Sequence, residues 1–272
     1  MVGEKVRVGG FNTSTSMRCE MRTRPIVIGH RGNSGEAPMN TLAAIEEAIH
    51  LGADMVEVDV NLTADGVPIL IHNSTVDETT DGTGPVSSYT FEEIRRLDAG
   101  SWKSPRYAGE RIPSLMEALD LGRGKIGFSL DLKTERAIPA LVKAVAESGM
   151  RDEVVVTGCY VSTAQAVREM DRDLMVLLNL HPEVERLARS GRMEEFIAAY
   201  ISQARRAGLP ALNVNHKYVT LQLLRRAHMQ ALSVWTFTVD DESTMRELIE
   251  MGVDAIYTNY PGRLLDLLAS SR

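Results

Sequence analysis

The chain is poor in several things. It has two cysteines in 272 residues, Cys19 and Cys159, and they show no metal-like spacing. A disulfide framework and a cysteine-built zinc site are therefore not expected, and a reducing cytoplasm fits better. The formal net charge is −7, which argues against a nucleic-acid partner, since nonspecific binding needs a basic surface. An anionic substrate must then be drawn in by a locally positive site, not by the whole-protein field. No run approaches the roughly 20 apolar residues of a membrane helix, so stable membrane insertion is not expected. The opening residues, "MVGEKVRVGGFNTSTSMRCEMRTR", lack the apolar stretch of a signal peptide. Residues 1–24 read as a flexible lead, with Met17 or Met21 as candidate starts, and ordered sequence is expected from Pro25. No G-x-G-x-x-G follows the first strand-like segment, which weakens a dinucleotide-binding reading.

What the chain does have is a regular alternation. Hydrophobic residues make up 44%, enough for a sizeable core. Short β-rich runs fall at 26–29, 55–60, 126–132, 154–158, 174–179, 211–215, 232–237 and 255–259. Between them lie segments such as "NTLAAIEEAIHLG", "AIPALVKAVAESG", "STAQAVREMD", "MEEFIAAYISQARRAG", "TLQLLRRAHMQ" and "ESTMRELIEMG", with apolar residues at helical spacing. A further run, "VPILIH" at 67–72, follows Asp65-Gly66 as a hairpin return. Eight strands alternating with helices predict parallel βα units. Count and length favour a closed (β/α)8 TIM barrel, one domain over residues 25–272, against an open doubly wound sheet. The stretch 73–112 reads as an insertion at the catalytic face, a substrate wall or lid. Within it, Phe91–Leu97 is expected to form a short helix with Thr90 as N-cap.

In such barrels chemistry gathers where the strands end. In "GADMVEVDVNL", Val56, Val58 and Val60 alternate with Glu57 and Asp59, so the two acids share one strand face. Ser129, Asp131 and Lys133 share a face of the next barrel strand. His30-Arg31 close the first strand, and His72 closes the hairpin return. Three carboxylates in an apolar setting are untenable without a positive partner. An all-oxygen set of Glu57, Asp59 and Asp131 suits a hard divalent cation, Mg²⁺ or Ca²⁺. The plainer reading is that these acids only ion-pair with Lys133 and Arg31. A pair of histidines can divide general acid and base work at neutral pH. Of the other four, only His216, just after the sixth barrel strand, merits attention. Trp102 and Trp235 could wall an apolar pocket, or simply pack.

These residues stand in longer motifs. "GHRGNSGEAPMNTLAAI", "GADMVEVDVNLTADGVPILIHN", "TTDGTG", "LDAGSW", "IPSLMEAL" and "VWTFTVDDESTMRELIEMGVDAIYTNYP" together resemble the glycerophosphodiester phosphodiesterase family, from about Pro25 to the C-terminus. The resemblance implies a TIM barrel with a small insertion after the second strand. It also implies metal-dependent hydrolysis of glycerophosphodiesters, such as glycerophosphocholine, to sn-glycerol 3-phosphate and an alcohol. By resemblance His30 and His72 are the catalytic pair. Glu57 and Asp59 are metal ligands, and Asp131 stands where the third ligand is usually Glu. Arg31 and Lys133 match phosphate-contacting positions, and Trp235 an aromatic near the substrate.

Four positions depart from the family pattern: Met39 in place of Glu, Asn73 in place of Asp, Asp131 in place of Glu, and Asn259 in place of Asp. They motivate an alternative, a catalytically weakened member that binds a phosphodiester ligand or a protein partner. A second alternative is a barrel lyase or aldolase with Lys133 as Schiff-base lysine.

Overall fold

The computed structural model describes residues 24–270. The expected N-terminal lead therefore lies outside the described residues except for Arg24, whose guanidinium pairs with Asp54 at 2.7 Å. Cys19, Met17 and Met21 also lie outside them.

Nine strands form one sheet: β1 (Ile26–His30), β2 (Met55–Leu62), β3 (Pro68–Leu70), β4 (Gly127–Leu132), β5 (Val154–Cys159), β6 (Met175–Asn179), β7 (Ala211–Asn215), β8 (Ser233–Phe237) and β9 (Ala255–Thr258). The parallel order runs β2-β4-β5-β6-β7-β8-β9-β1, and β1 pairs β2 to close the ring. This is an eight-stranded TIM barrel. The ninth strand, β3, runs antiparallel to β2 with Val60 opposite Leu70, the expected hairpin return.

The two side-chain faces of each strand fill two cores. Val56, Val58 and Val60 point outward and are fully buried against the helix layer. The alternate positions point into the barrel, where Ile28, Val155, Leu177, Ala211, Trp235, Ala255 and Tyr257 form an apolar plug. That plug is the floor on which the polar mouth rests.

Helices α1 (Leu42–Leu51), α2 (Phe91–Ile94), α3 (Leu115–Gly122), α4 (Ile138–Ser148), α5 (Val161–Met170), α6 (Pro182–Arg189), α7 (Met193–Ala207), α8 (Leu221–His228), α9 (Glu242–Met251) and α10 (Pro261–Ser270) cover the barrel. Thr90 and Ser114 open α2 and α3 with capping boxes to Glu93 and Glu117. Helix α2 is shorter than expected. After Arg95 bonds back to Phe91, Arg96 and Leu97 bond only three residues back, to Glu93 and Ile94, and the helix tightens into a turn.

Beyond His72 the chain wraps a small apolar cluster of Val76, Val86, Ile94, Ala99 and Ile112 with Ile69 and Ile71 of the hairpin. Lys103 from this segment donates to the carbonyls of Ser34 and Gly35, each at 2.8 Å. The segment is thus tied to the loop that follows His30. Trp102 is 38% exposed and donates its indole N–H to the Ala99 carbonyl at 2.8 Å. Among the described residues no helix is long and apolar enough to cross a membrane.

Candidate active site

Strand register assembles the site. His30 on β1 pairs in register with Glu57 on β2. Asp59, two residues further along β2, pairs with Asp131 on β4. The carboxylates of Glu57, Asp59 and Asp131 each offer an oxygen within 4.8 Å of the others. A side chain one methylene shorter than Glu suffices at 131 because register sets it directly beside Asp59. His30, Arg31, Glu57, His72, Asp131 and Lys133 all border one cavity of about 320 Å³ at the mouth, within the usual range for small-molecule sites.

The charges there are tightly paired. Lys133 Nζ lies 2.8 Å from Asp59 and 2.6 Å from Asp131. Arg31 Nε lies 3.0 Å from Asp59. Asn40, held at φ 60°, exchanges two hydrogen bonds with Asp59, donating to its carboxylate at 2.7 Å and accepting its backbone N–H at 3.0 Å. Glu57 accepts the Arg31 backbone N–H at 2.9 Å and faces His30 Nε2 at 3.8 Å. Arg31 itself sits at φ 57°, a conformation non-glycine residues rarely adopt and one that marks over-determined sites.

Burial and neighbouring charge shift these groups in opposite directions. Burial raises the Glu57 carboxyl well above its ordinary range, and Asp59 and Asp131 push it further. Burial likewise raises Asp131, with Asp59 adding to it and Lys133 opposing. Burial also penalises the charge on Asp59, yet Lys133 and Arg31 more than reverse this and hold it below the ordinary value. Lys133, although buried, is held firmly protonated by Asp131 and Asp59. Burial, followed by the Arg31 charge, lowers His30 to about 4, so it is neutral at physiological pH.

The ion pairs of the plainer reading, with Lys133 and Arg31, are present. With all three acids ionised they face two cationic side chains, and burial raises Glu57 and Asp131; a proton on one of them, or a bound cation, supplies the missing charge. An oxygen-only donor set short of positive charge fits a hard divalent cation. Asp131 Oδ1 is buried and accepts no hydrogen bond. Room for this carboxylate comes from Gly158, where a Cβ would stand 2.3 Å from that oxygen.

Trp235, expected beside the substrate, is 6% exposed and packs in the plug with its ring 6.1 Å from that of Tyr257. Its register partner Asn213 and its neighbour Tyr257 both line the cavity, as does Phe237, two residues on and facing the same way. His216 Nδ1 lies 3.3 Å from the Phe237 carbonyl, a bond that ties the ends of β7 and β8 together. Sequence reasoning missed Asn40, Gly158 and Asp240. Asp240 accepts the Asn259 side-chain N–H at 2.6 Å and its backbone N–H at 2.8 Å. The Asn259 carbonyl oxygen in turn lies 2.7 Å from His30 Nδ1.

Fold and site together define a TIM-barrel enzyme with an acidic cluster, two basic side chains and two imidazoles at one mouth. The profile of the glycerophosphoryl diester phosphodiesterase family matches residues 30–263, and the chain belongs to that family. It is 32% identical over 252 residues to a glycerophosphodiester phosphodiesterase of Caldanaerobacter subterraneus, covering 90% of this chain and 98% of the relative. It is 37% identical over 187 residues to human glycerophosphodiester phosphodiesterase 1, covering 65% and 56%. Among solved structures, a phosphodiesterase of Oleispira antarctica in complex with its product sn-glycerol-3-phosphate superposes with a TM-score of 0.78 at 28% identity, covering 90% and 97% of the two chains.

Proposed function

We propose that this phosphodiesterase hydrolyses glycerophosphodiesters to sn-glycerol 3-phosphate and an alcohol, using Mg²⁺ or Ca²⁺. The observation that carries this reading is the cluster of Glu57, Asp59 and Asp131, paired with Arg31 and Lys133, beside one cavity that Glu57, Asp131, Arg31, Lys133, His30 and His72 border. The Oleispira antarctica complex supports glycerol 3-phosphate as the product half. A cytoplasmic location belongs to the same proposal.

Glu57, Asp59 and Asp131 would hold the cation, which when bound supplies Lewis-acid polarisation of the phosphate. Arg31 and Lys133 stabilise charge developing on the non-bridging oxygens. Arg31 pairs with Asp59 through Nε, while its Nη1 meets the Met39 sulfur at 3.2 Å, a weak acceptor, where the family usually has a carboxylate. His30 is neutral with its Nδ1 engaged by Asn259, so its Nε2 lone pair takes the proton of the attacking hydroxyl. His72, exposed and bordering the same cavity, protonates the departing alcohol oxygen as the P–O bond breaks. Water, or the substrate's own glycerol hydroxyl, is the attacking group. A second hollow of about 380 Å³ shares Asp131, Lys133, Asn179 and Phe237 with the first and offers room for the alcohol.

The Schiff-base alternative needs a neutral amine, whereas Lys133 is clamped and charged between two acids. The weakened-member alternative loses force because Asn73 and Asn259 both still engage their histidines. The test is purified protein with a panel of glycerophosphodiesters, with and without chelator, following glycerol 3-phosphate. Cation-dependent release is expected. Absence of turnover on every diester, with cation present, overturns the reading.

A further inference from the structure

The imidazole of His30 does not meet a carboxylate directly. It meets the amide of Asn259, and that amide has two faces with opposite chemistry. A carboxylate only accepts hydrogen bonds. Asp240 Oδ2 lies 2.6 Å from Asn259 Nδ2, so the NH₂ group is turned toward Asp240. The amide oxygen is thereby turned toward His30 Nδ1, 2.7 Å away. An oxygen there demands Nδ1–H, and the lone pair is left on Nε2, the nitrogen that faces Glu57.

Asp240 is held for this task. Its other oxygen accepts the Asn259 backbone N–H at 2.8 Å and the Thr258 hydroxyl at 3.1 Å. Ser34 Oγ–H donates toward the His30 carbonyl and the Asn259 amide oxygen, each at 2.7 Å, one proton shared between two acceptors. The same arrangement recurs at the second histidine. His72 Nδ1 lies 2.6 Å from Asn73 Oδ1, and the Asn73 NH₂ is taken by Glu78.

We propose that Asp240 is a positioning residue that sets the His30 tautomer through Asn259, so that the base presents its lone pair at Nε2. Its catalytic consequence rests on His30 being the base, but the tautomer itself can be read without turnover.

The experiment uses the full chain with ¹⁵N-labelled histidine, metal-free and with Mg²⁺, at mildly alkaline pH, with the His30 signal assigned by its loss in His30→Gln. Wild type should show His30 protonated at Nδ1. In Asp240→Asn the new amide keeps its oxygen on the Asn259 backbone N–H and points its NH₂ at the Asn259 side chain. Asn259 must then turn over and offer its own NH₂ to His30, which becomes protonated at Nε2. kcat should fall about 10²–10⁴-fold with KM nearly unchanged, the range seen when a catalytic imidazole holds the wrong tautomer. The exchange Asp240→Asn with Asn259→Asp rebuilds the same pattern. The new carboxylate accepts from both the new amide and His30, so Nδ1–H and most of kcat should return. A merely structural Asp240 would not give that rescue. If His30 stays protonated at Nδ1 in Asp240→Asn, or the exchange fails to restore it, the proposal is overturned. If the tautomer switches as described and kcat does not change, the tautomer assignment stands and His30 is not the base.

Discussion

Gly158→Ala tests the architecture of the acidic cluster without touching a charged group. A Cβ at this position would stand 2.3 Å from Asp131 Oδ1 and 2.7 and 2.8 Å from Leu132 backbone atoms. Ordinary contact needs roughly 1 Å more, so the Asp131 carboxylate must move away from its place beside Asp59. Gly158 also sits at φ 74°, which costs a residue with a Cβ about 1–2 kcal/mol. For a chain of this size that cost alone lowers Tm by roughly 2–8 °C. Gly149→Ala separates the two effects. Gly149 has φ 71° and nothing within 4 Å of a Cβ, so it carries the backbone cost and leaves Asp131 in place. Calorimetric melting, titration with Mg²⁺ or Ca²⁺, and kcat/KM should be measured on both. Gly149→Ala should lose a few degrees and keep wild-type cation affinity. Gly158→Ala should lose at least as much stability, bind cation about 10–100-fold more weakly, and lose about 10²-fold in kcat/KM. If the two variants bind cation and turn over alike, Asp131 is not the ligand that register and packing make it.

His30→Ala and His72→Ala should each lower turnover about 10²–10⁴-fold, checked by glycerol 3-phosphate release; near wild-type rates for both would remove the acid–base assignment. Cation affinity should rise with pH, because burial and mutual repulsion raise Glu57 and Asp131 and their protons must leave when a cation binds. Titration calorimetry in buffers of different ionisation heat should show proton release on cation binding, and excess cation should rescue activity lost on acidification. Folding stability carries a His30 contribution of opposite sense to those acids. Burial and Arg31 hold folded His30 at about 4, while the unfolded side chain titrates near 6.5, so the unfolded state binds more protons between these values. That contribution is present above about pH 6.5 and lost as pH falls toward 4, at most about 3 kcal/mol. Denaturant curves of the metal-free protein should show a shallower loss across that window in His30→Gln.

The strands were legible because their two-residue alternation is strong and their boundaries are marked by turn residues. The acid pair was legible for the same reason: Glu57 and Asp59 interrupt a valine ladder on one face only. What alternation cannot state is height in the barrel. Trp235 and Phe237 point the same way, yet Trp235 is buried in the plug while Phe237 reaches the cavity. Helix α6 escaped notice because its apolar stripe is barely one turn long, with Val184 buried and Leu187 and Ala188 packed beside it on the core. Helices α3 and α10 did carry readable signals, the Ser114–Glu117 capping box and Pro261 ahead of a leucine period. Asn40 and Asp240 are short polar residues in loops. Their importance comes from partners about 20 residues away, Asp59 and Asn259, a relation that no local pattern contains.

The charge arrangement explains why an acidic protein can hold an anionic diester at this mouth. Formal charge is confined to β1, β2 and the end of β4, where Arg31, Glu57, Asp59, Asp131 and Lys133 meet. The cavity's remaining polar lining from β5 to β7 is neutral: Thr157, Asn179 and Asn213. With all five charged groups ionised, the acidic half is negative by one charge, on a chain whose net charge is already −7. A phosphodiester approaching that surface alone meets repulsion, strengthened by the apolar plug beneath, which keeps the local dielectric low. A divalent ion among the carboxylates reverses the local sign to one positive charge, while Arg31 and Lys133 still point at the same space. Cation and substrate therefore belong to one electrostatic site. The acids that look excessive beside two basic residues would be matched by a third, divalent charge.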